Sequence, residues 1–328
     1  MSAKPCNSPS CPSVYVNTIS AQIGPIFTPN DLLTRENWSN LGVWQLILLT
    51  GAAGKTGRAV LQALVQEGAA VRAWVRRGTQ CLEVQQLGAQ EVVVGDVEET
   101  AVWQQAITNM QSIYHICPNM HPREVEIGQL AIAMAQQNGV SHFVYHSVLH
   151  PQTEAMPHHW HKLRVEEAIL TSGLPFTILQ PAAYMQNVLA SRRLIEDEGI
   201  FRVPYPISTR LSLVDLQDVA EVAAKVLTEP GHERAIYELV GEGGVAQTAV
   251  STTLSNHLKR PVHAEELSLP AWKEQALAIG LGDYQIETLL KMFRYYAQFG
   301  FMSNNNTLRW LLQREPTSFT SFVKRAFV

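Results

Sequence analysis

The sequence predicts a doubly wound α/β fold, a parallel sheet with helices on both faces, joined to a smaller and mostly helical C-terminal lobe. Two observations predict it. From Gln45 onward short apolar runs alternate with helical patterns, which is how a parallel sheet crossed by helices reads in sequence. The first of those runs, Leu46 to Thr50, passes directly into Gly51-Ala-Ala-Gly-Lys-Thr-Gly57, with the amphipathic stretch Arg58 to Gln66 behind it. Glycines at this spacing, between a strand and a helix, form a phosphate cradle for a dinucleotide.

Each glycine has a physical task. Gly51 turns the chain off the strand, Gly54 lets the backbone approach a pyrophosphate, and Gly57 lets the helix pack closely. The helix N-terminus attracts the anion. Ala53, Lys55 and Thr56 complete the loop, which is too short between Gly51 and Lys55 for an ATP-binding Walker pattern.

The remaining strands are expected at 70–75, 91–94, 112–117, 142–147 and 176–180, with Tyr237 to Val240 recruited late. Helix signals separate them: Glu124 to Gln137 stops at Asn138-Gly139, and Lys162 to Thr171 stops at Ser172-Gly173. Asp218 is a candidate N-cap for Val219 to Leu227. A dinucleotide-binding domain is thus expected over 44–187 plus about 214–242. A substrate lobe follows from about 188–213 plus 243–328, including the amphipathic stretch Asp283 to Gln298. Residues 1–43, rich in Pro, Ser and Asn with little periodicity, read as a disordered N-terminal extension.

Composition narrows the function. The chain has 328 residues, 46% of them hydrophobic, and a net charge of -4. No basic run exceeds an Arg pair, so neither nucleic acid nor an anionic membrane is an expected partner. Cys6, Cys11, Cys81 and Cys117 show no disulfide or metal spacing. With no secretory signal and no membrane-length apolar run, a cytoplasmic protein acting on a small molecule is expected. The sequence leaves room for a homodimer.

The cofactor expected is NADP(H) in preference to NAD(H). An acid at the end of the second strand takes the ribose hydroxyl of NAD, whereas Arg accommodates the 2'-phosphate of NADP. Here no acid occurs between Gly68 and Leu82, and the strand ends in Arg76-Arg77. Arg72 shares a face with Arg76 by alternation and is a candidate assistant. Asp96 and Val97, after the third strand, border the expected adenine site, although Asp96 reads equally as a helix cap.

With these motifs in view, the chain from about Gln45 to its C-terminus resembles the NmrA-like group of atypical short-chain dehydrogenases, within the Rossmann superfamily. The likeness rests on Gly51 to Gly57, Val71-Arg-Ala-Trp-Val-Arg76, His142-Phe-Val-Tyr-His-Ser147, His158-His-Trp-His-Lys162, Thr177 to Asn187 and Arg314-Glu-Pro-Thr-Ser-Phe319. That group includes quinone and dye reductases as well as nucleotide-sensing proteins. The resemblance implies that Lys162 binds the nicotinamide ribose and that Cys117-Pro118 runs beside the cofactor. It also implies a departure. Four residues before the Lys the wider superfamily has a proton-transferring Tyr, and this chain has His158.

His158 is therefore the candidate for substrate polarisation, and the charge of Lys162 opposes its cationic form. Ser147, at a strand end, is the candidate for a hydrogen bond to substrate, with a plain turn hydroxyl as the alternative. His146, Tyr184 and Asn187 are expected at the substrate side of the cleft. A metal site is not expected from His146, His150, His158, His159 and His161, because no Cys or acid joins them and Lys162 repels a cation. They are expected at a polar cleft mouth or on the surface. Two functions use this residue set: an oxidoreductase passing hydride from NADP(H) to a quinone or conjugated carbonyl, and a non-catalytic NAD(P)H-binding redox sensor.

Overall fold

The computed structural model describes residues 46–328, so the expected extension lies outside the described residues. A seven-stranded parallel sheet runs through the molecule in the order β10-β6-β5-β4-β1-β2-β3. Its strands are β1 (Leu46–Leu49), β2 (Ala70–Val75), β3 (Glu91–Val94), β4 (Ser112–His115), β5 (His142–His146), β6 (Phe176–Pro181) and β10 (Ala235–Leu239). All neighbouring pairs are parallel. The chain winds outward from β1 in both directions, so a crevice opens at the carboxyl ends of β1 and β4, where ligands bind in open sheets of this kind.

One face is covered by α1 (Lys55–Gln66) and α7 (Leu216–Thr228), which pack on each other. The opposite face carries α3 (Thr100–Ile107), α4 (Glu124–Gln137) and α5 (Pro157–Thr171), packed in that order. Burial on both faces explains why β1 is apolar throughout rather than alternating. Ile47 and Leu49 face one core while Leu48 faces the other.

The helical C-terminal region also contains strands that the sequence does not announce. β7 (Ala183–Tyr184), β9 (Arg210–Val214) and β11 (Glu242–Ala246) form one small sheet, and β8 (Ile200–Val203) with β12 (His263–Glu266) forms another. Around them lie α6 (Arg192–Glu198), α8 (Gln247–Leu258), α9 (Leu269–Ala278), α10 (Asp283–Phe299), α11 (Asn306–Leu312) and α12 (Phe319–Ala326).

The expected cap of α7 is corrected by three residues. Asp215 accepts the amide hydrogen of Gln217 as the N-cap. Asp218 sits inside the first turn, where its buried carboxylate takes Arg314 at 2.8 Å, the amide of Thr317 at 2.7 Å and the Thr317 hydroxyl at 2.9 Å. It anchors the C-terminal segment to the sheet's helical layer. Arg325 similarly reaches Asp215 at 2.5 Å.

Candidate active site

The site begins at the glycine loop, strung between two strands. Thr50 donates its amide to Tyr114 O and Ala52 donates to Trp74 O, each at 3.1 Å. Gly51 has φ +64°, a left-handed conformation that suits glycine. A Cβ on Gly57 would overlap Gly51 O and lie 2.7 Å from Ala52 Cα. Its tight contact is therefore with the loop's own backbone. A Cβ on Gly54 would meet only Gly51 O, at 3.2 Å. No side chain caps α1, so its first-turn amides, at Lys55, Thr56 and Gly57, have no intrahelical acceptor and face an anion-sized cradle.

Arg76, 81% exposed, stands at the end of β2 with Nε 3.6 Å from Asp96 Oδ2. Asp96 accepts the amide of Glu98 at 3.1 Å, capping a turn ahead of α3 rather than the helix itself. Asp96 and Val97 both line the cleft, as do Arg76 and the indole-bearing wall at Trp74. Arg72 does not assist. It is turned into the sheet edge, pairing with Glu91 of β3 at 2.5 Å and donating to Ala106 O and Thr108 O at 2.7 and 2.9 Å.

Lys162 on α5 projects into the crevice with two acceptors: Glu124 Oε1 at 2.6 Å and His146 O at 3.1 Å. Its ammonium also lies 5.2 Å above the Tyr145 ring. Glu124, at the start of α4, is 1% exposed and accepts the Tyr145 hydroxyl at 3.1 Å as well. This carboxylate holds the Lys head in place, and sequence reasoning missed it because an acid in a first helical turn ordinarily serves only the helix. Cys117 and Pro118 line the same stretch of cleft. Burial, aided by Glu124, pushes the Cys117 thiol well above its usual range, which disfavours the reactive thiolate.

His158 lies one turn ahead of Lys162 on α5. It is 8% exposed, and its Nδ1 is buried without a hydrogen-bond partner. Burial, then His159 and Lys162, push its pKa down to about 2. The neutral ring is therefore the favoured form near neutral pH. Ser147 lines the cleft, yet its hydroxyl donates to the buried carboxylate of Glu166, which Gln180 also grips at 2.9 and 3.0 Å. Burial raises the pKa of Glu166.

The expectation of a polar histidine mouth is corrected. His146, His158 and His159 are buried, and burial lowers all three, His146 to about 3 and His159 to about 4. His159 bonds His150 O at 3.1 Å and both rings pack on Phe301. The His159 ring is packed in largely apolar space, which favours its neutral form.

His146 joins a chain of hydroxyls instead. Its Nδ1 lies 2.7 Å from Tyr114 Oη, and its Nε2 lies 2.7 Å from Tyr184 Oη. Thr56 of the glycine loop donates to that same Tyr184 oxygen at 3.3 Å. Lys55 donates to Asn187 Oδ1 at 3.1 Å and sits 5.2 Å above the Tyr184 ring. Tyr184 and Asn187 thus meet the glycine loop directly, closer to the phosphate cradle than the sequence suggests.

The glycine loop, Arg76, Asp96, Glu124, His146, Ser147, His158, Lys162, Tyr184 and Asn187 all border one cleft of ≈1420 Å³. That exceeds the space one drug-sized ligand ordinarily takes, so it has room for two. No group of three His, Cys, Asp or Glu suited to a metal ion occurs among the described residues, and no described helix is long and apolar enough to cross a membrane.

The model of the NmrA-like family matches residues 44–322. The chain is 25% identical over 284 residues to NAD(P)H azoreductase of Xenophilus azovorans, covering 85% of this chain and 97% of that one. It is 26% identical over 292 residues to quinone oxidoreductase 2 of Escherichia coli strain K12, covering 86% and 99%. Among solved structures, the Escherichia coli NADPH-dependent quinone oxidoreductase complexed with NADPH superposes with a TM-score of 0.75 at 24% identity, covering 86% of this chain and 100% of that one. The negative transcriptional regulator NmrA superposes with a TM-score of 0.73 at 15% identity, covering 87% and 96%.

Proposed function

We propose, since the chain belongs to the NmrA-like family, that it is an NADP(H)-dependent oxidoreductase that transfers hydride to a small acceptor, a quinone or another conjugated carbonyl. The observation that carries the reading is the meeting of the uncapped glycine loop and Lys162 in one cleft whose far wall is apolar. Relatives named as an NAD(P)H azoreductase and a quinone oxidoreductase support it.

The residues present fit the cofactor: the tight glycine loop has no room for a Cβ at Gly57, and the first-turn amides behind it have no side-chain cap. Gly51, Ala53, Gly54, Lys55, Thr56 and Gly57 hold the pyrophosphate in this reading. Arg76 grips the 2'-phosphate, Asp96 and Val97 border the adenine, and Cys117 and Pro118 flank the nicotinamide half. Lys162 holds the ribose hydroxyls. When bound, the cofactor supplies the hydride. Segments 188–213 and 243–328 form the substrate wall.

His158 serves as a neutral hydrogen-bond partner for the acceptor oxygen, with His146 and Ser147 behind it and Tyr184 and Asn187 closing the loop side. A quinone suits a site without a strong acid, because it accepts hydride readily and leaves as a comparatively acidic phenol. Reduction of an ordinary ketone does not suit it.

A second reading, a non-catalytic NAD(P)H-binding redox sensor, is favoured by one observation. The position of the superfamily's Tyr holds a His that burial keeps from protonation. Steady-state NADPH oxidation against a panel of quinones, with NADH in parallel, decides between the two. Saturable consumption with NADPH preferred supports the reductase, and tight NADPH binding without consumption supports the sensor.

A further inference from the structure

The charged and uncharged linings of the cleft are segregated. On the sheet side it is bordered by Lys55, Arg76, Asp96, Glu98, Glu124 and Lys162. On the lobe side the charged lining residue is Arg202, and Glu265 neutralises it at 3.0 Å. Apart from the uncharged Gln247 and Gln275, the rest of that side is largely apolar and aromatic, with Val203, Trp272, Ile279, Met292 and Phe293 among its side chains.

These aromatics form a continuous series that starts beside the Lys162 helix. His159 packs on Phe301 at 5.6 Å, Phe301 on Tyr296 at 5.1 Å, and Tyr296 on Tyr205 at 6.0 Å. Tyr205 then meets Phe293 at 6.1 Å, and Phe293 meets Trp272 at 4.8 Å. Two turns along from Trp272 is Ile279, which lines the cleft and is nevertheless 76% exposed. The series therefore runs from the redox end of the cleft to an apolar mouth.

We infer that this wall is a subsite for an uncharged apolar tail, so that the acceptor is a quinoid ring carrying an alkyl or prenyl-like chain rather than a small polar or ionic quinone. The inference rests on the reductase reading for the ring, and on the wall alone for the tail. An ionised group seated against this wall would lose its hydration without a partner, which is strongly unfavourable. A hydrocarbon chain there removes apolar surface on both sides from water. The mouth at Ile279 lets a chain longer than the wall continue into solvent.

The test is a binding series on the full chain loaded with NADP+, where no turnover occurs. Quenching of tryptophan fluorescence is titrated with 1,4-naphthoquinones bearing 2-alkyl chains of increasing length and with the 2-sulfonate. The expected result is affinity rising by about two- to fourfold per methylene, flattening for chains that pass the mouth, with the sulfonate at least roughly tenfold weaker than the unsubstituted ring. The ratio of long-chain to short-chain affinity should fall in Phe293→Ala and in Ile279→Asp. The second variant changes an exposed side chain, so it keeps the test valid if the first fails to fold. A flat series, a sulfonate that binds as well as the parent ring, or a slope unchanged in Ile279→Asp would overturn the inference. Failure of the reductase reading registers separately, as absent NADPH oxidation with the short quinones while the affinity slope persists.

Discussion

Lys162 Nζ and Glu124 Oε1 lie 2.6 Å apart, joined across the α4–α5 interface by residues 38 positions distant in sequence. The carboxylate is 1% exposed and the Lys side chain 16% exposed, so this ion pair is shielded from water on the carboxylate side. Breaking such a pair from one end strands a buried charge, which costs about 3–5 kcal/mol when burial is complete. Lys162→Met should therefore destabilise the protein by roughly 3 kcal/mol, the low end of that range, because the Lys retains some solvent. Adding Glu124→Gln should recover most of the loss. Urea unfolding of both single variants and the double variant measures this, and additive losses would show the pair to be uncoupled.

Glycine substitutions should separate stability from cofactor affinity. Gly57→Ala drives a Cβ into the backbone of Gly51 and Ala52, so both thermal stability and NADPH affinity should fall, the latter by roughly tenfold or more. Gly54→Ala meets only Gly51 O at 3.2 Å, and its cost to folding should stay near about 1 kcal/mol, typical of a lost favourable N-cap. Its NADPH affinity should nevertheless fall by a similar factor, because in the proposed binding mode the pyrophosphate approaches this backbone. Calorimetric titration beside thermal melts distinguishes the two.

Much of this is legible in the sequence. The glycine loop and the seven sheet strands are written in local pattern, since a strand, a turn and a helix start each depend on neighbours within a few residues, whereas Lys162 is singled out by the family resemblance. Glu124 was not legible, because its meaning arises only when α4 packs on α5. Arg72 was misread for a related reason. Alternation gives its face correctly, but its partner Glu91 belongs to the next strand, and the ion pair draws it away from Arg76. The short strands β8 and β12 pair only with each other, between helices, and their few residues carry too little periodicity to stand out. Burial of His146, His158 and His159 escaped the same way, since polarity in sequence says nothing about what later packs above it.

Stability should fall as pH drops below neutrality. Burial holds His115 and His146 to about 3, His142 and His159 to about 4, and His158 to about 2. An unfolded His protonates near 6.5, so between about 6.5 and 4 the unfolded state binds more protons. Folding stability is then lost on acidification, by up to about 1.4 kcal/mol per pH unit for each such ring. Glu166, raised by burial, acts in the opposite direction and is a single group against several. Urea midpoints at pH 7.0, 6.0 and 5.0, roughly spanning this window, should decline steadily, and a constant midpoint would show that these rings are not held neutral.

Arg76→Ala should alter cofactor choice without altering the fold. The side chain is 81% exposed, so thermal stability should change little. Loss of charge-assisted hydrogen bonds to a 2'-phosphate should raise KM for NADPH by roughly 10- to 100-fold, with KM for NADH unchanged. Equal changes for both cofactors would assign Arg76 a general electrostatic role instead.

The most direct test of hydride transfer is a single-turnover measurement with NADPH deuterated at C4 in each of its two stereochemical positions, mixed rapidly with enzyme and a quinone. The account predicts a primary isotope effect on NADPH oxidation for one diastereomer and none for the other, because Lys162 and the glycine loop fix which face of the nicotinamide meets the acceptor. NADPH that binds tightly and is oxidised by no acceptor in the panel would contradict it.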